Sequence, residues 1–486
     1  MKSNPLLYEL NTRVWIKRFG FDTKLNQVPI DFFKKLRERG FNYVWLMGVW
    51  QTNKNSVKKY CFEDGLIKEY NAALPDWKEN DVIGSPYSIE DYKVSPDLGG
   101  EKALIDLKQK LNELGLKLIL DFIPNHFSVE SSLLNTNPQI FLRGDESDLQ
   151  NDPKTFFKKE DKIFAHGKDP FFDAWQDTVQ VNYFSGEAKE FMYNRLEQVS
   201  KLSDGIRCDM AMLINNPVFA KTWETILSKS SFERPQNEFW SEAIPKIKRE
   251  RDDFIFIAEA YWDKEWELQQ FGFDFTYDKK LLERLKSNNV EEIKKHLWAD
   301  IAYQKKCTRF LENHDEQRAI KVFGEQKVEP ATVILFTLPG MKLIYDGQSE
   351  GKRIKLPVQL GREPDESPNK IVKAFYDKLY QINNNDIFRE GNWQLLEPQP
   401  AWKDNQSHKN ILSWLWSYKK VKVIVVVNYS GTHAQCLLNF DTYDLDDEIS
   451  FKDLLNEKDY KRSAEEIKKN GLYIDLQPYK SHIFLF

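Results

Sequence analysis

The sequence LILDFIPNH, residues 118–126, decides the fold, because an apolar strand runs here directly into a polar end. Three later stretches have the same form: GIRCD at residues 205–209, FIFIAEA at 254–260 and FLENHD at 310–315. Each places a carboxylate near the end of an apolar run. If these runs are parallel strands of one barrel, their ends meet at one rim and their polar side chains share one pocket.

Strand-like and helix-like segments alternate from residue 6 to about residue 390. Buried parallel strands have nearly continuous apolar sequences, and eight such segments predict an α/β fold of the (β/α)8 TIM barrel type. The predicted strands are residues 6–16, 41–50, 116–122, 205–211, 254–260, 271–277, 307–312 and 342–345. We predict the barrel in residues 1–126 and 182–390, and an inserted domain in residues 127–181 after the third strand. Residues 391–486 predict a C-terminal antiparallel β-sandwich domain.

The composition is typical of a globular protein, with 41% hydrophobic and 30% charged residues among 486. A net charge of −5 argues against binding to nucleic-acid phosphates. No apolar run is long enough to span a bilayer, and the start shows no export signal. The four cysteines show no metal-type pairing, and a reducing compartment suits them. We therefore expect a cytoplasmic protein with no nucleic-acid or membrane partner.

Three of the carboxylates have the properties that glycosidic bond cleavage needs, namely a proton donor and a carboxylate facing the oxocarbenium-like centre. We predict that Asp209 is the nucleophile, because Arg207 lies on the same side of the strand and should lower the Asp209 pKa. Glu259 has apolar neighbours, so its pKa should be raised and it can act as general acid and base. Asp315 is expected to bind sugar hydroxyls.

Two histidines at the strand ends, His126 and His314, are expected to donate hydrogen bonds to substrate hydroxyls. For either histidine alone, a purely structural side chain is an equal alternative. A single acid at a strand end can likewise cap the following helix. The repetition of the pattern at four strand ends favours a shared site.

These stretches resemble the four signature regions of the α-amylase family of retaining glycosidases, glycoside hydrolase family thirteen. The matching residues are Asp121, Asn125 and His126 in the first region, Arg207 and Asp209 in the second, Glu259 in the third, and His314 and Asp315 in the fourth. Ser85-Pro86-Tyr87 resembles the family segment whose tyrosine stacks under the reacting sugar. The resemblance implies Asp209 as nucleophile, Glu259 as acid/base and Asp315 as transition-state stabiliser. It implies substrate binding by Tyr87, Asp121, His126, Arg207 and His314.

The resemblance implies a retaining hydrolase that acts on an α-linked oligosaccharide or polysaccharide through a β-glycosyl enzyme. A transglycosylase or isomerase of the same family is an alternative, because it uses the same three acids. A non-catalytic carbohydrate-binding protein is less favoured, since all three acids are present. A metal-dependent hydrolase is also less favoured, because neither His126 nor His314 has a closely spaced second histidine.

One departure from the family pattern limits what the resemblance implies. Many α-amylases have a Lys-His pair three and four residues after the nucleophile, where this sequence has Met212 and Leu213. The leaving-group side should therefore be less polar. Asn125 matches a position that often binds calcium in the family. The chemistry requires no cofactor, and a structural calcium at Asn125, the glycosidic linkage and the oligomeric state stay open.

Overall fold

The computed structural model describes residues 3–441 and 447–486. Its main part is a closed barrel of eight parallel strands, which confirms the predicted fold class. The strands are β1 Leu6–Asn11, β2 Tyr43–Met47, β3 Lys117–Phe122, β4 Gly205–Cys208, β5 Ile255–Ala258, β6 Phe275–Tyr277, β7 Cys307–Arg309 and β8 Met341–Tyr345. They neighbour one another in chain order, and β8 pairs with β1 to close the barrel. Residues 1–2 of the predicted barrel and residues 442–446 of the predicted C-terminal domain lie outside the described residues.

The register of β3, β4 and β5 decides where the polar strand ends lie. Arg207 of β4 is paired with Asp121 of β3 on one side and with Ile257 of β5 on the other. The pairing continues past the strand, because the Glu259 N–H donates to the Cys208 carbonyl at 3.0 Å. The ends of these three strands therefore lie at the same height in the barrel.

Strand β4 begins with a glycine for a steric reason. A Cβ atom at Gly205 would lie 2.6 Å from the carbonyl oxygen of Ile255 and 2.7 Å from the Cδ1 atom of Ile119. Only a residue without a side chain lets β4 approach both neighbouring strands this closely. The glycine thus fixes the position of the strand that carries Arg207.

Seven of the eight barrel strands are shorter than the apolar runs that predict them, and the first two show why. The run at residues 6–16 is a strand only as far as Asn11, and the helix Thr12–Trp15 follows. The run at residues 41–50 forms Tyr43–Met47 and ends before Gly48, whose φ of +79° suits glycine. Periodicity cannot distinguish a buried strand from a short buried helix, because both are apolar throughout.

Helices around the barrel commonly bury one face. In Ile30–Glu38, for example, Phe33 and Leu36 are buried, whereas residues 330–337 of the helix Ala319–Thr337 are all buried. The α-helices outside the two insertions and before residue 391 are Thr12–Trp15, Ile30–Glu38, Gly100–Glu113, Gly186–Leu202, Asn216–Thr222, Glu224–Leu227, Phe239–Glu250, Glu265–Gln270, Lys279–Ser287, Val290–Leu297, Ile301–Lys305, Ala319–Thr337, Lys370–Asn383 and Asp386–Glu390. Within the described ranges, no helix combines the length and apolarity needed to cross a bilayer.

Two insertions leave the barrel at the C-terminal ends of β2 and β3. The first contains the antiparallel strands Trp50–Thr52 and Ile89–Val94 and the helices Lys54–Tyr60 and Asp64–Ala73. The second contains the paired strands His126–Ser128 and Thr178–Gln180, the hairpin Phe156–Lys159 and Lys162–Ala165, and the helices Leu133–Thr136 and Glu146–Asn151. Because both begin at the rim of the barrel, they lie on the side where the acids emerge.

The C-terminal part contains two antiparallel sheets, as the sequence predicts. The six-stranded sheet has the order Asn392–Leu396, Ile411–Tyr418, Val421–Asn428, Ser481–Leu485, Glu448–Asp453 and Lys458–Ser463. The three-stranded sheet has the order Gln399–Pro400, Ala434–Leu438 and Leu472–Leu476, and the helix Ala464–Asn470 precedes its last strand. An apolar core that includes Ile424, Cys436 and Ile474 lies between the sheets. The Trp416 indole N–H donates to the Thr337 carbonyl at 2.7 Å and so fixes this part to the barrel.

Candidate active site

The three predicted catalytic carboxylates follow strands at the C-terminal end of the barrel. Asp209 comes directly after β4, Glu259 directly after β5, and Asp315 lies in the loop after β7. Asp209 and Glu259 are only 7% and 3% exposed. Asp315 keeps 49% of its side-chain surface exposed. The site therefore combines two buried acids with one that faces the opening.

Arg207 is a fully buried cation that contacts both buried acids. Its Nη1 donates to Asp209 Oδ1 at 2.7 Å, and its Nη2 lies 2.8 Å from Glu259 Oε2. The second contact is ionic and lacks the alignment of a hydrogen bond. Asp121 Oδ1 lies 3.7 Å from Nη1. The guanidinium also lies against three aromatic rings, at 5.1 Å from Trp45, 5.5 Å from Tyr87 and 5.7 Å from Tyr277.

The pKa of Asp209 is raised, whereas the sequence predicts that Arg207 lowers it. Arg207 does act in the predicted direction, through its charge and its hydrogen bond. Burial has the larger effect and raises the Asp209 pKa. The prediction is wrong in its net direction because the sequence shows the neighbouring cation but does not show how little solvent reaches the carboxyl.

Glu259 has the raised pKa that the sequence predicts. Burial raises the pKa to about 7, although the charge of Arg207 opposes it. One carboxyl oxygen accepts the Tyr261 hydroxyl at 2.7 Å, and the other accepts the Met210 N–H at 2.7 Å. The side chain is therefore fixed in position and is partly protonated near neutral pH, as a general acid requires.

Asp315 and His314 form an ion pair at the opening. His314 Nε2 lies 3.1 Å from Asp315 Oδ2 and 2.8 Å from the Tyr87 hydroxyl. Burial alone would lower the His314 pKa, but Asp315 and Glu9 outweigh it and raise the pKa to about 10. Desolvation would raise the Asp315 pKa, but His314 outweighs it and lowers that pKa. Near neutral pH the pair is therefore imidazolium and carboxylate.

Tyr87 connects the two histidines. Its ring is stacked on the His314 ring at 5.5 Å, and its backbone carbonyl accepts a hydrogen bond from His126. Burial lowers the His126 pKa to about 4, so this imidazole is neutral. The Trp175 ring of the second insertion lies 5.4 Å from His126. Tyr87, His126 and His314 thus form one wall of the pocket.

Asp121 is buried at the bottom of the site. Its Oδ2 accepts the Gly48 N–H at 3.3 Å, whereas its Oδ1 accepts no hydrogen bond from any described residue. Burial raises the Asp121 pKa to about 7, against the opposing charge of Arg207. A buried carboxyl oxygen without a donor has capacity for a hydroxyl group of a ligand.

Asn125 does not present its oxygens in a form that suits a calcium ion. The Gln180 side-chain amide nitrogen lies 2.9 Å from Asn125 Oδ1 and 3.0 Å from each of the carbonyl oxygens of Asn125 and Val181. Three oxygens thus converge on one neutral amide donor, where calcium would require free oxygen ligands. Within the described ranges, no group of three or more His, Cys, Asp or Glu residues could hold a metal. The residues around Asn125 do not fit the ion, and calcium binding stays an untested prediction.

Three residues hydrogen-bond to site residues in ways that the sequence does not predict. Glu9 accepts a hydrogen bond from His314, Tyr277 accepts one from the Arg207 Nε at 3.3 Å, and Tyr261 donates to Glu259. Glu9 gives a signal in the sequence, since it is an acid inside an apolar strand. Tyr277 ends the predicted sixth strand, whose sequence gives no hint of a partner.

The residues that replace the Lys-His pair do not line the pocket with polar groups. Met212 and Leu213 are 0% and 2% exposed. Phe171 of the second insertion packs edge-on against Trp262, which is three residues after Glu259, with ring centres 4.9 Å apart. Phe172 beside it is 74% exposed. The positions of the Lys-His pair are thus buried and apolar, and a pair of rings follows Glu259 closely in the chain.

The fold and the acids at its strand ends define a barrel with an α-amylase type of site. The family model for the α-amylase catalytic domain matches residues 30–409. This match covers more than half of the chain, so the chain belongs to the α-amylase family.

Individual relatives are distant in sequence. The chain is 24% identical to alpha-amylase MalA of Haloarcula japonica over 374 residues, which are 73% of this chain and 49% of that protein. It is 23% identical to a cyclomaltodextrinase of Thermoanaerobacter pseudethanolicus over 411 residues, 81% of this chain and 63% of that protein. The match thus spans about half to less than two thirds of these relatives. A noncanonic maltogenic alpha-amylase, AmyB of Thermotoga neapolitana, has the same fold, with a TM-score of 0.73, 21% identity and coverage of 99% and 98% of the two chains.

Proposed function

We propose that the protein is a retaining α-glycoside hydrolase that acts on α-linked glucans or oligosaccharides. The observation that carries the proposal is that Asp209 and Glu259 are buried side by side against one guanidinium, that of Arg207. The raised pKa of Glu259 supplies a proton near neutral pH. Family membership supports the substrate class, since the curated relatives named above are an alpha-amylase and a cyclomaltodextrinase.

In the first step, Asp209 attacks the anomeric carbon while Glu259 transfers its proton to the glycosidic oxygen. The bond to the leaving sugar breaks, and a β-linked glycosyl ester forms on Asp209. The acceptor oxygen of Asp121 and the Nε2–H donor of His314 would bind ring hydroxyls, whereas the single N–H of the neutral His126 already donates to the Tyr87 carbonyl. Asp315 carries a negative charge, which stabilises the cationic transition state. It is also the most exposed of the three acids.

In the second step, water replaces the leaving sugar. The Glu259 carboxylate removes a proton from the water, whose oxygen attacks the anomeric carbon and releases Asp209. Two inversions retain the α-configuration. Glu259 regains its proton and is ready for another cycle.

The test is to incubate the protein with maltooligosaccharides, glycogen, pullulan and small α-glucosides, and to follow the first product by proton NMR. We expect the α-anomer first. Glu259→Gln, which keeps the shape of the side chain, should lower kcat about 100- to 10,000-fold, and Asp209→Asn should do at least as much. A first product with the β-configuration, or no cleavage of any α-glucoside, would refute the proposal.

Transglycosylation is the second candidate, and the aromatic surface of Phe171, Phe172 and Trp262 favours it. Exposed rings beside the acid/base can stack an acceptor sugar that competes with water. Products longer than the donor would identify transfer. An equal rate of transfer in a Phe172→Ala variant would remove the structural argument for it.

The proposal includes no cofactor, because the acids supply all proton transfers. We also propose a cytoplasmic location, since Cys61, Cys208, Cys307 and Cys436 are all free thiols. The partner is an α-linked oligosaccharide or polysaccharide, and no nucleic acid or membrane takes part.

A further inference from the structure

Glu9 is a carboxylate inside the barrel that the proposed mechanism does not use. It lies in β1, is 0% exposed, and pairs with Trp45 of β2 and Tyr345 of β8. Its neighbour Tyr8 points the other way, since the Tyr8 ring packs on Phe41 at 5.1 Å. Successive side chains of a strand alternate, so Glu9 faces the barrel interior.

One oxygen of Glu9 accepts hydrogen bonds from two nitrogens of His314. Glu9 Oε1 lies 2.5 Å from His314 Nδ1 and 3.4 Å from the His314 backbone nitrogen. Glu9 Oε2 accepts no hydrogen bond from any described residue. A buried carboxylate without a cation is costly, so the contact with His314 accounts for its presence here.

The opposite nitrogen of the same ring faces the reacting acids. His314 Nε2 contacts Asp315 and Tyr87, as described above, and the edge of the ring packs on Trp45 at 5.5 Å. A neutral imidazole has a single N–H, and a carboxylate at Nδ1 would hold that proton on Nδ1 and leave Nε2 without one. Here Glu9 lies at Nδ1 and Asp315 at Nε2, so both nitrogens face carboxylates and the doubly protonated ring, which keeps Nε2–H, is favoured. The titratable and charged groups that act on His314 are Glu9, Tyr87, Asp121, Asp209 and Asp315. Arg207 acts on the same carboxylates.

We propose that Glu9 is a positioning residue for the reaction: it holds His314 doubly protonated, so that Nε2–H stays directed at Asp315 and at the substrate. Glu9 touches no substrate and acts only through His314. The proposal rests on the proposed function for its catalytic consequence, but the state of the His314 ring can be measured without any turnover. Glu9 thus extends the site across the barrel, from β1 to the loop after β7.

The test is NMR of protein labelled with ¹⁵N-histidine, with the His314 signals assigned by a His314→Asn variant among the seven histidines. In the wild type at pH 8 both ring nitrogens should carry protons. In Glu9→Gln, which has the same shape and no charge, His314 should be neutral at this pH. With maltooligosaccharides, kcat/KM should fall about 10- to 150-fold, the range for one hydrogen bond to a charged group, mainly through kcat.

Two further variants separate charge from simple damage. Glu9→Asp keeps the charge, so His314 should stay doubly protonated and part of the activity should return. Asp453→Asn removes a buried carboxylate that binds His482 Nδ1 at 2.6 Å in the C-terminal part, and it should leave the His314 signals and kcat unchanged. A doubly protonated His314 in Glu9→Gln, or a neutral one in Glu9→Asp or the wild type, would overturn the proposal. Absence of hydrolysis in the wild type would instead refute the proposed function.

Discussion

The Tyr261→Phe variant should move the pH dependence of the enzyme upward. The Tyr261 hydroxyl donates to Glu259 Oε1 at 2.7 Å, and this hydrogen bond favours the ionised form and lowers the Glu259 pKa. Without the hydroxyl, Glu259 keeps its proton to a higher pH. Because Glu259 must be protonated to act as the acid, the alkaline limb of kcat/KM should follow the change.

The size of the shift follows from the number of donors. A hydrogen bond to a charged group contributes about 1.5–3 kcal/mol, and 1.36 kcal/mol corresponds to one pKa unit. Loss of the Tyr261 hydroxyl should therefore raise the Glu259 pKa by at most about one to two units. Arg207 and the Met210 N–H still contact Glu259 in the variant. We therefore expect about one unit, from a limb near pH 7 in the wild type.

The assay is the initial rate of maltooligosaccharide cleavage from pH 4 to 10, with products separated by chromatography. Aryl glycosides are unsuitable, because a good leaving group needs little help from the acid. Tyr70→Phe is the matched control, since its buried hydroxyl donates to the Cys61 carbonyl at 2.9 Å, away from the carboxylates. An alkaline limb that stays in place or moves downward in Tyr261→Phe would show that Glu259 is not the titrating acid.

Three further outcomes are expected. Lys342→Met should stabilise the protein by about 1–3 kcal/mol, because Lys342 is fully buried and its Nζ has no partner among the described residues. Burial lowers the Lys342 pKa well below its usual value. The unfolding free energy of the wild type should therefore rise with pH towards the pKa of an unfolded lysine, and this rise should be absent in the variant. The same dependence of unfolding free energy on pH in both proteins, measured by urea titration, would contradict this. Gly205→Ala should destabilise by about 1–3 kcal/mol, because the new Cβ would meet the Ile255 carbonyl; an unchanged Tm would argue against the close approach of β4. Exhaustive chelation should change kcat less than twofold, because Gln180 already binds the oxygens around Asn125, and recovery of a large loss by calcium would restore the family expectation.

The barrel and its acids can be predicted from the sequence because the patterns that mark them are short and local. A parallel strand buried on both faces is apolar throughout, and a polar residue at its end marks the rim. Asp209 and Glu259 directly follow their strands. Asp121 is the second-last residue of β3, and Asp315 lies in the loop after β7. The residues at which the strands end are harder to predict, since the apolar run continues from β1 into the buried helix Thr12–Trp15.

The features that the sequence does not reveal depend on closure of the barrel and on burial. Glu9 and His314 are 305 positions apart, and no local pattern links β1 to the loop after β7. Gln180 reaches Asn125 because the strands His126–Ser128 and Thr178–Gln180 pair across the second insertion. The Asp209 pKa depends on solvent access, which is a property of the whole site.

The clustering around Arg207 and His314 has a consequence for the charge of the pocket. Five carboxyl groups among the described residues, those of Glu9, Asp121, Asp209, Glu259 and Asp315, lie against these two cations, and Lys355 adds a weaker attraction on Asp315. Protons must therefore neutralise part of the excess, and Asp121 and Glu259, both with a pKa of about 7, hold them. As pH rises through neutrality the pocket becomes more anionic. Sugar mimics with a protonated nitrogen should bind more tightly over that interval, even while turnover falls.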